Sequence, residues 1–171
     1  MLYTFRPMTE ADARSMAAWR YDGPDAFYNL DPADVPALLD PASSYTAVLD
    51  ADGFVVGFFG FGPGGQVSGG HRAGLYDDDA LDIGLGLRPD LTGRGLGRDF
   101  VVAGLAYAAE RFAPRAFRLT VAAFNRRAIG LYERLGFHHG PTFTSPVRGV
   151  ETPFLLMTRG SQSKTDTDAS T

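Results

Sequence analysis

The sequence predicts one mixed α/β domain built on a central sheet. Its periodic segments run from helices to a hairpin and then to strand–helix–strand–helix–strand, the order of helices packed on a sheet. A length of 171 residues suits one domain and suffices to bury a core. A hydrophobic fraction of 44% excludes a mostly disordered chain. The chain shows no internal repeat and no splitting linker, so the domain is expected over residues 1–159. Residues 160–171 (GSQSKTDTDAST) are polar and low in complexity, and read as a flexible tail.

Each element has a local cause. Leu2 to Pro7 alternates loosely as a first strand. Thr9 reads as a helix N-cap, with Asp12 as its acidic first-turn partner, before a helix through Ala18. Trp19 to Leu30 is irregular and dense in aromatics. Pro32 to Leu39 suits a short helix capped by Asp31. Tyr45 to Leu49 and Phe54 to Phe61 form a hairpin through the turn ending at Gly53. Gly62 to Asp79 reads as a long loop. Ala80 to Leu87 is the next strand, and a helix runs from about Leu96 to Phe112, with Val101, Leu105, Ala108, Ala109 and Phe112 at helical spacing. Phe117 to Phe124 is a buried type of strand, and Arg126 to Leu135 a helix started by Asn125 and ended by Gly136. Two short strands follow, near Thr142 to Thr144 and Thr152 to Met157.

Composition narrows the function. The net charge is −4, whereas phosphate neutralisation calls for a basic surface, so nucleic acid is not an expected partner. Cysteine is absent, which removes disulfides, thiolate metal sites and cysteine nucleophiles together. Met1 to Glu10 carries no cationic stretch followed by an apolar run, and apolar runs stay far below the ~20 residues of a membrane span. The expected compartment is the cytoplasm. Arginine supplies fifteen of the sixteen cations, which matches phosphate recognition by guanidinium groups and, more simply, a composition bias. His71, His138 and His139 have no metal-site spacing, and no Gly-x-Ser-x-Gly is present, so neither a metal nor a serine hydrolase is expected.

Leu87 to Arg98 (LRPDLTGRGLGR) carries the first chemical motif. A strand runs into alternating glycines that open a helix. Glycine lacks Cβ, so main-chain N–H groups can approach an anion, and the helix start adds unpaired N–H groups and a positive dipole end. Arg94 and Arg98 add cationic charge. No Gly-Lys is present for a Walker A loop, and a dinucleotide fingerprint started at Gly93 fails at Arg98. A strand–helix turn without a ligand would have the same glycines. The second motif is Asn125 to Phe137 (NRRAIGLYERLGF), where Asn125, Ala128 and Tyr132 share one helix face. Ala128 leaves room on that face, and a tyrosine hydroxyl there can give a proton to a leaving group.

Together the two motifs resemble the GNAT superfamily of acyl-CoA-dependent N-acetyltransferases. Thr92-Gly93-Arg94-Gly95-Leu96-Gly97 resembles the family's cofactor loop, with Thr92 where arginine or glutamine is usual. Asn125, Ala128, Tyr132, Gly136 and Phe137 match its later helix without a gap, and the order of elements matches from Leu2 to about Thr158. The resemblance implies a mostly antiparallel mixed sheet, splayed at the cofactor site and flanked by helices. It implies acetyl-CoA as co-substrate, with Leu85, Gly86 and Leu87 pairing with the pantetheine arm and residues Gly93, Arg94, Gly95, Leu96, Gly97 and Arg98 taking the pyrophosphate. Gly84 and Gly86 suit a bulge that opens the splay. Asn125 and Ala128 would face the cofactor, Tyr132 would protonate the departing thiolate, and a backbone N–H near Leu85 would support the oxyanion.

An amine acceptor must also lose a proton, because a pKa near ~10.4 keeps it charged at neutral pH. Asp82 is the candidate base or water relay; paired with an arginine, it would instead be structural. Asp77, Asp78 and Asp79 read as a solvated run or as a steering cluster for a cationic amine. Trp19, Tyr21, Phe27, Tyr28 and Asn29 lie where the family often builds its acceptor wall, and Tyr21, Phe27, Tyr28 and Asp82 are the expected acceptor contacts. The expected activity is acetyl transfer to a primary amine by direct attack in a ternary complex. Acceptors left open are a small amine, an aminoglycoside-like polyamine and a protein N-terminus, with a homodimer as an open arrangement and no membrane partner. The alternative is a non-catalytic acyl-CoA-binding or sensing domain, which has no use for a proton donor at Tyr132.

Overall fold

The computed structural model describes residues 2–161. Thr4–Pro7 forms strand β1, and Thr9 caps helix α1, Glu10–Ala17. The cap is reciprocal: Asp12 N–H donates to Thr9 Oγ1 at 3.2 Å, and Thr9 N–H donates to the Asp12 carboxylate at 2.9 Å. A 3-10 turn over Gly23–Tyr28 replaces irregular chain, and a second turn at Pro32–Asp34 leads into α2, Val35–Leu38. The hairpin is β2, Thr46–Leu49, with β3, Val55–Phe61. Then come β4, Leu81–Leu87; α4, Gly97–Phe112; β5, Ala116–Ala122; and α5, Arg126–Arg134. Strands β6, His138–Val147, and β7, Val150–Gly160, close the chain.

The expected loop between β3 and β4 is instead a 3-10 turn, Gly62–Gly65, followed by helix α3, Ser68–Arg72. Its glycines have low helix propensity, so tertiary contact orders it. A Cβ on Gly65 would lie 2.7 Å from the Ile83 backbone, and Gly69 N–H donates to Ser145 Oγ at 2.9 Å. Strands β6 and β7 also run well beyond the expected segments. Their turn is Arg148-Gly149, with φ of +47° and +78°, the handedness that suits a two-residue hairpin. Pro141, Pro146 and Pro153 break the strand pattern in the sequence. Gly160 ends β7 rather than opening a tail, and residues 162–171 of the expected tail lie outside the described residues.

The strands form one seven-stranded sheet in the order β1-β2-β3-β4-β5-β7-β6, mixed and mostly antiparallel. Its faces bury two clusters. Phe59, Phe61, Ile83, Leu119 and Tyr132 pack with Phe100 and Leu105 of α4, whereas Ala13, Met16, Val35 and Leu38 cover the other face. A Cβ on Gly104 would meet the Phe59 ring at 2.1 Å, so only glycine lets α4 sit this close. Phe59 and Phe100 stack there at 4.9 Å. Phe112, expected on the apolar face, is 37% exposed at the helix end.

Candidate active site

Strands β4 and β5 are the parallel pair of the described sheet. They match at three rungs: Leu81 with Phe117, Asp82 with Arg118, and Ile83 with Leu119. Beyond Ile83, β4 stays paired with β3 as far as Leu87, and β5 stays paired with β7 as far as Ala122. The two strands therefore part, and a cavity of about 410 Å³ opens in the fork. The splay implied by the resemblance is present, but no register shift interrupts β3 and β4. Gly84 and Gly86 are thus not bulge residues. A Cβ on Gly84 would meet Gly64 O at 2.6 Å, and one on Gly86 the Phe58 ring at 2.4 Å. They are glycines because other elements press on that face.

Backbone alternation decides which groups face the fork. Arg88 N–H donates to Val56 O at 2.8 Å, so Arg88, Gly86 and Gly84 aim their main-chain groups at β3. Leu85 and Leu87 aim theirs into the gap. The Leu87 carbonyl already accepts the Tyr21 hydroxyl at 2.7 Å. At the far end of the cavity, Gly93 and Gly95 have φ of +71° and +77°. A Cβ on Gly95 would have nothing within 4 Å, so its conformation, not crowding, calls for glycine. No side chain caps the first turn of α4. Open N–H groups and three arginines, Arg98, Arg127 and Arg134, therefore border one cavity.

Helix α5 forms the opposite wall through Asn125, Ala128, Leu131 and Tyr132. Asn125 Oδ1 accepts Ala128 N–H at 3.1 Å as the N-cap, and its Nδ2 donates to the Tyr28 hydroxyl at 2.9 Å. Tyr132 is 7% exposed, and its ring meets Phe137 edge-on at 6.0 Å. Its hydroxyl makes no hydrogen bond among the described residues and is not sealed from the cavity. Burial pushes its pKa up, and nearby Tyr28 pushes it further. Burial also raises Tyr28, and raises Tyr21 to about 12, so all three phenols stay protonated near neutrality.

The cavity walls include Tyr21, Tyr28, Leu85, Gly86, Leu87, Gly93, Gly95, Gly97, Arg98, Asn125, Ala128 and Tyr132 of the expected site residues. Four others stand outside. Arg94 is exposed, and Leu96 does not reach the wall. Phe27 packs edge-on against Tyr28 and Phe124 at 5.0 and 5.2 Å. Asp82 is 2% exposed and faces Arg118, whose Nε and Nη2 donate to its two oxygens at 2.6 and 2.8 Å. Gln66 Nε2 adds a third bond at 2.7 Å, which leaves the carboxylate in the structural arrangement. Arg118 also donates to Asp78 at 2.6 Å, so that member of the acidic run is tied to the sheet. The hydrogen bond from Ala80 N–H, then Arg118, holds the Asp78 carboxyl below its usual range.

Sequence reasoning missed Asp25, Thr120, Arg127, Leu131 and Arg134, which also line the cavity. Residues 127, 131 and 134 fall at offsets of four and seven on one helix face, a readable signal. Asp25 and Thr120 have none, because long-range folding brings them in.

Known proteins resemble this chain in sequence and in fold. The family described as Acetyltransferase (GNAT) matches residues 7–137. A mycothiol acetyltransferase of Acidothermus cellulolyticus is 34% identical over 149 residues, covering 81% of this chain and 45% of its own length. Another, of Streptomyces coelicolor, is 37% identical over 111 residues, covering 64% of this chain and 31% of its own length. The chain thus spans less than half the length of these curated relatives. Among solved structures, a spermidine N-acetyltransferase SpeG chimera from Vibrio cholerae and hSSAT aligns with a TM-score of 0.70 at 19% identity, covering 92% of this chain and 95% of its own. Mutant forms of the spermidine/spermine N-acetyltransferase SpeG from Vibrio cholerae align at 0.66 and 19%, covering 93% and 95%. At that identity the structures bear on the fold alone.

Proposed function

Because the chain belongs to the GNAT acetyltransferase family, we propose that it moves an acetyl group from acetyl-CoA to the primary amine of a small molecule. One observation carries the reading: a single cavity joins an unpaired strand edge, an uncapped helix start behind two left-handed glycines, and the unpartnered hydroxyl of a largely buried tyrosine. The residues fit the co-substrate. Main-chain groups of Leu85 and Leu87 suit an amide-bearing arm, and Gly93, Gly95, Gly97 and Arg98 suit a pyrophosphate. Asn125 and Ala128 offer a polar group and clearance beside the arm. Acetyl-CoA supplies an activated acyl group.

The protein's share is positioning and proton handling. The Leu85 N–H faces the fork, where a fixed donor can meet developing negative charge on a carbonyl oxygen. Tyr132, kept neutral by burial, holds a proton for a departing thiolate. Tyr21 and Tyr28 wall the acceptor side. With both Asp82 oxygens engaged, water in the cavity takes the amine proton, and Asp82 holds the last paired rungs. The name shared by the curated relatives, mycothiol acetyltransferase, supports a small-molecule acceptor.

The test is release of free thiol from acetyl-CoA across a panel of small amines, with a protein N-terminal peptide alongside. Release with a small amine supports the reading, and release with the peptide alone moves the acceptor class. Calorimetric CoA binding without release from any acceptor would leave the binding-domain reading.

A further inference from the structure

Arg127 stands between two claims on its charge. Its Nη2 donates to Asp25 Oδ2 at 2.8 Å, joining the Gly23–Tyr28 turn to the first turn of α5. Its Nη1 lies against the glycine loop, 3.9 Å from where a Cβ on Gly93 would be. Asp25, Gly93 and Arg127 all line the cavity, and Asp25 is the acidic side chain among its described walls. An anion arriving at the glycine loop thus meets a guanidinium that a carboxylate already holds.

We propose that Asp25 is an intramolecular competitor for Arg127, displaced when a phosphate group of the co-substrate takes the guanidinium. This rests on the acetyl-CoA reading above. The pair has the properties of an exchangeable contact. Its side chains are 62% and 31% exposed, so breaking it costs little, whereas the Arg118–Asp82 pair is sealed at 1% and 2%. A pyrophosphate bears two negative charges against the one of a carboxylate and accepts a guanidinium fork equally well, so it wins the exchange at short range. The contact is also accompanied by two others between residues that line the cavity. Tyr21 to Leu87 O and Asn125 to Tyr28 are the others, and each engages a group on a cavity wall. Asp25 thereby weakens the binding of any donor that carries phosphate and leaves a phosphate-free donor unaffected.

The experiment is calorimetry of CoA on the parent protein, Asp25→Asn, Arg127→Gln and the double variant, with an NMR titration of pantetheine, which has no phosphate. Asp25→Asn should bind CoA about two- to five-fold more tightly, the range an exposed ion pair allows. It should bind pantetheine as the parent does. Arg127→Gln should bind CoA more weakly, and the Asp25→Asn gain should shrink in its background. Unchanged or weaker CoA binding by a folded Asp25→Asn protein would overturn the competition. An equal gain for pantetheine would overturn it too, because the effect would then come from loosening the turn. Failure of the parent protein to bind CoA would overturn the co-substrate reading itself, a separate result.

Discussion

Asp82 and Arg118 share one rung of the parallel β4–β5 pair, and their side chains bond twice, at 2.6 and 2.8 Å. The rung is the second of three before the strands part, so the ion pair secures the base of the fork. Both groups are sealed from water, and removing one partner leaves the other charge buried. Such losses typically cost ~3–5 kcal/mol, and the remaining bond from Arg118 to the exposed Asp78 places this one toward the lower end. Asp82→Asn should therefore lower the thermal midpoint strongly, read by circular dichroism. Lost turnover at an unchanged midpoint would instead restore Asp82 as the base.

Tyr132→Phe removes one oxygen and keeps the ring packed on Phe137. Because the hydroxyl has no partner among the described residues, little stability is at stake. Turnover should fall ~10²–10⁴-fold, the usual worth of a general acid, with CoA affinity nearly unchanged by calorimetry. Full turnover would remove the assigned role.

Gly95→Ala isolates backbone conformation from crowding. The new methyl group would have nothing within 4 Å, but φ is +77°. Left-handed backbone costs an ordinary residue roughly 1–2 kcal/mol. The loop should relax away from its present shape, weakening acetyl-CoA binding about tenfold or more while the far-UV spectrum is unchanged.

Asp12 sets an acid limit on stability. Hydrogen bonds from Arg6, then Thr9, hold its carboxyl down to about 2 against an ordinary 3.8, in spite of burial. A depressed carboxyl stabilises the fold above its unfolded pKa, and the contribution disappears as pH falls through the folded one. Arg6 is 37% exposed, which screens the pair, so roughly 1–2 kcal/mol is at stake between pH 4 and 2. Asp12→Asn should flatten urea midpoints across that interval relative to the parent.

The sequence was legible where causes are local. Thr9 with Asp12, Asn125 with Ala128, and Gly136 set helix ends through their own neighbours, and those ends appear as expected. The glycine loop and the Tyr132 face were legible for the same reason, being strings of adjacent residues. Helix α3 and the long β6–β7 hairpin were not, because glycines and prolines there are overruled by distant contacts such as Gly69 with Ser145. Asp82 marks the same boundary. Its strand was readable from sequence, but its partner lies 36 residues away.

The three-rung seam also divides the molecule along the chain. Strands β1 to β4 form one antiparallel ladder and β5 to β7 another, each complete without the other. Ala113 and Pro114 fall between them, past the end of α4. A cut at that point spares every ladder within each half and severs only the covalent link between them. The halves would then be held by the seam rungs, by the Asp82–Arg118 pair and by hydrogen bonds such as Gly69 to Ser145, Asn125 to Tyr28 and Arg127 to Asp25. The fold is thus laid out as two complementary fragments, and co-expressed pieces 1–113 and 114–171 should reassociate into one particle.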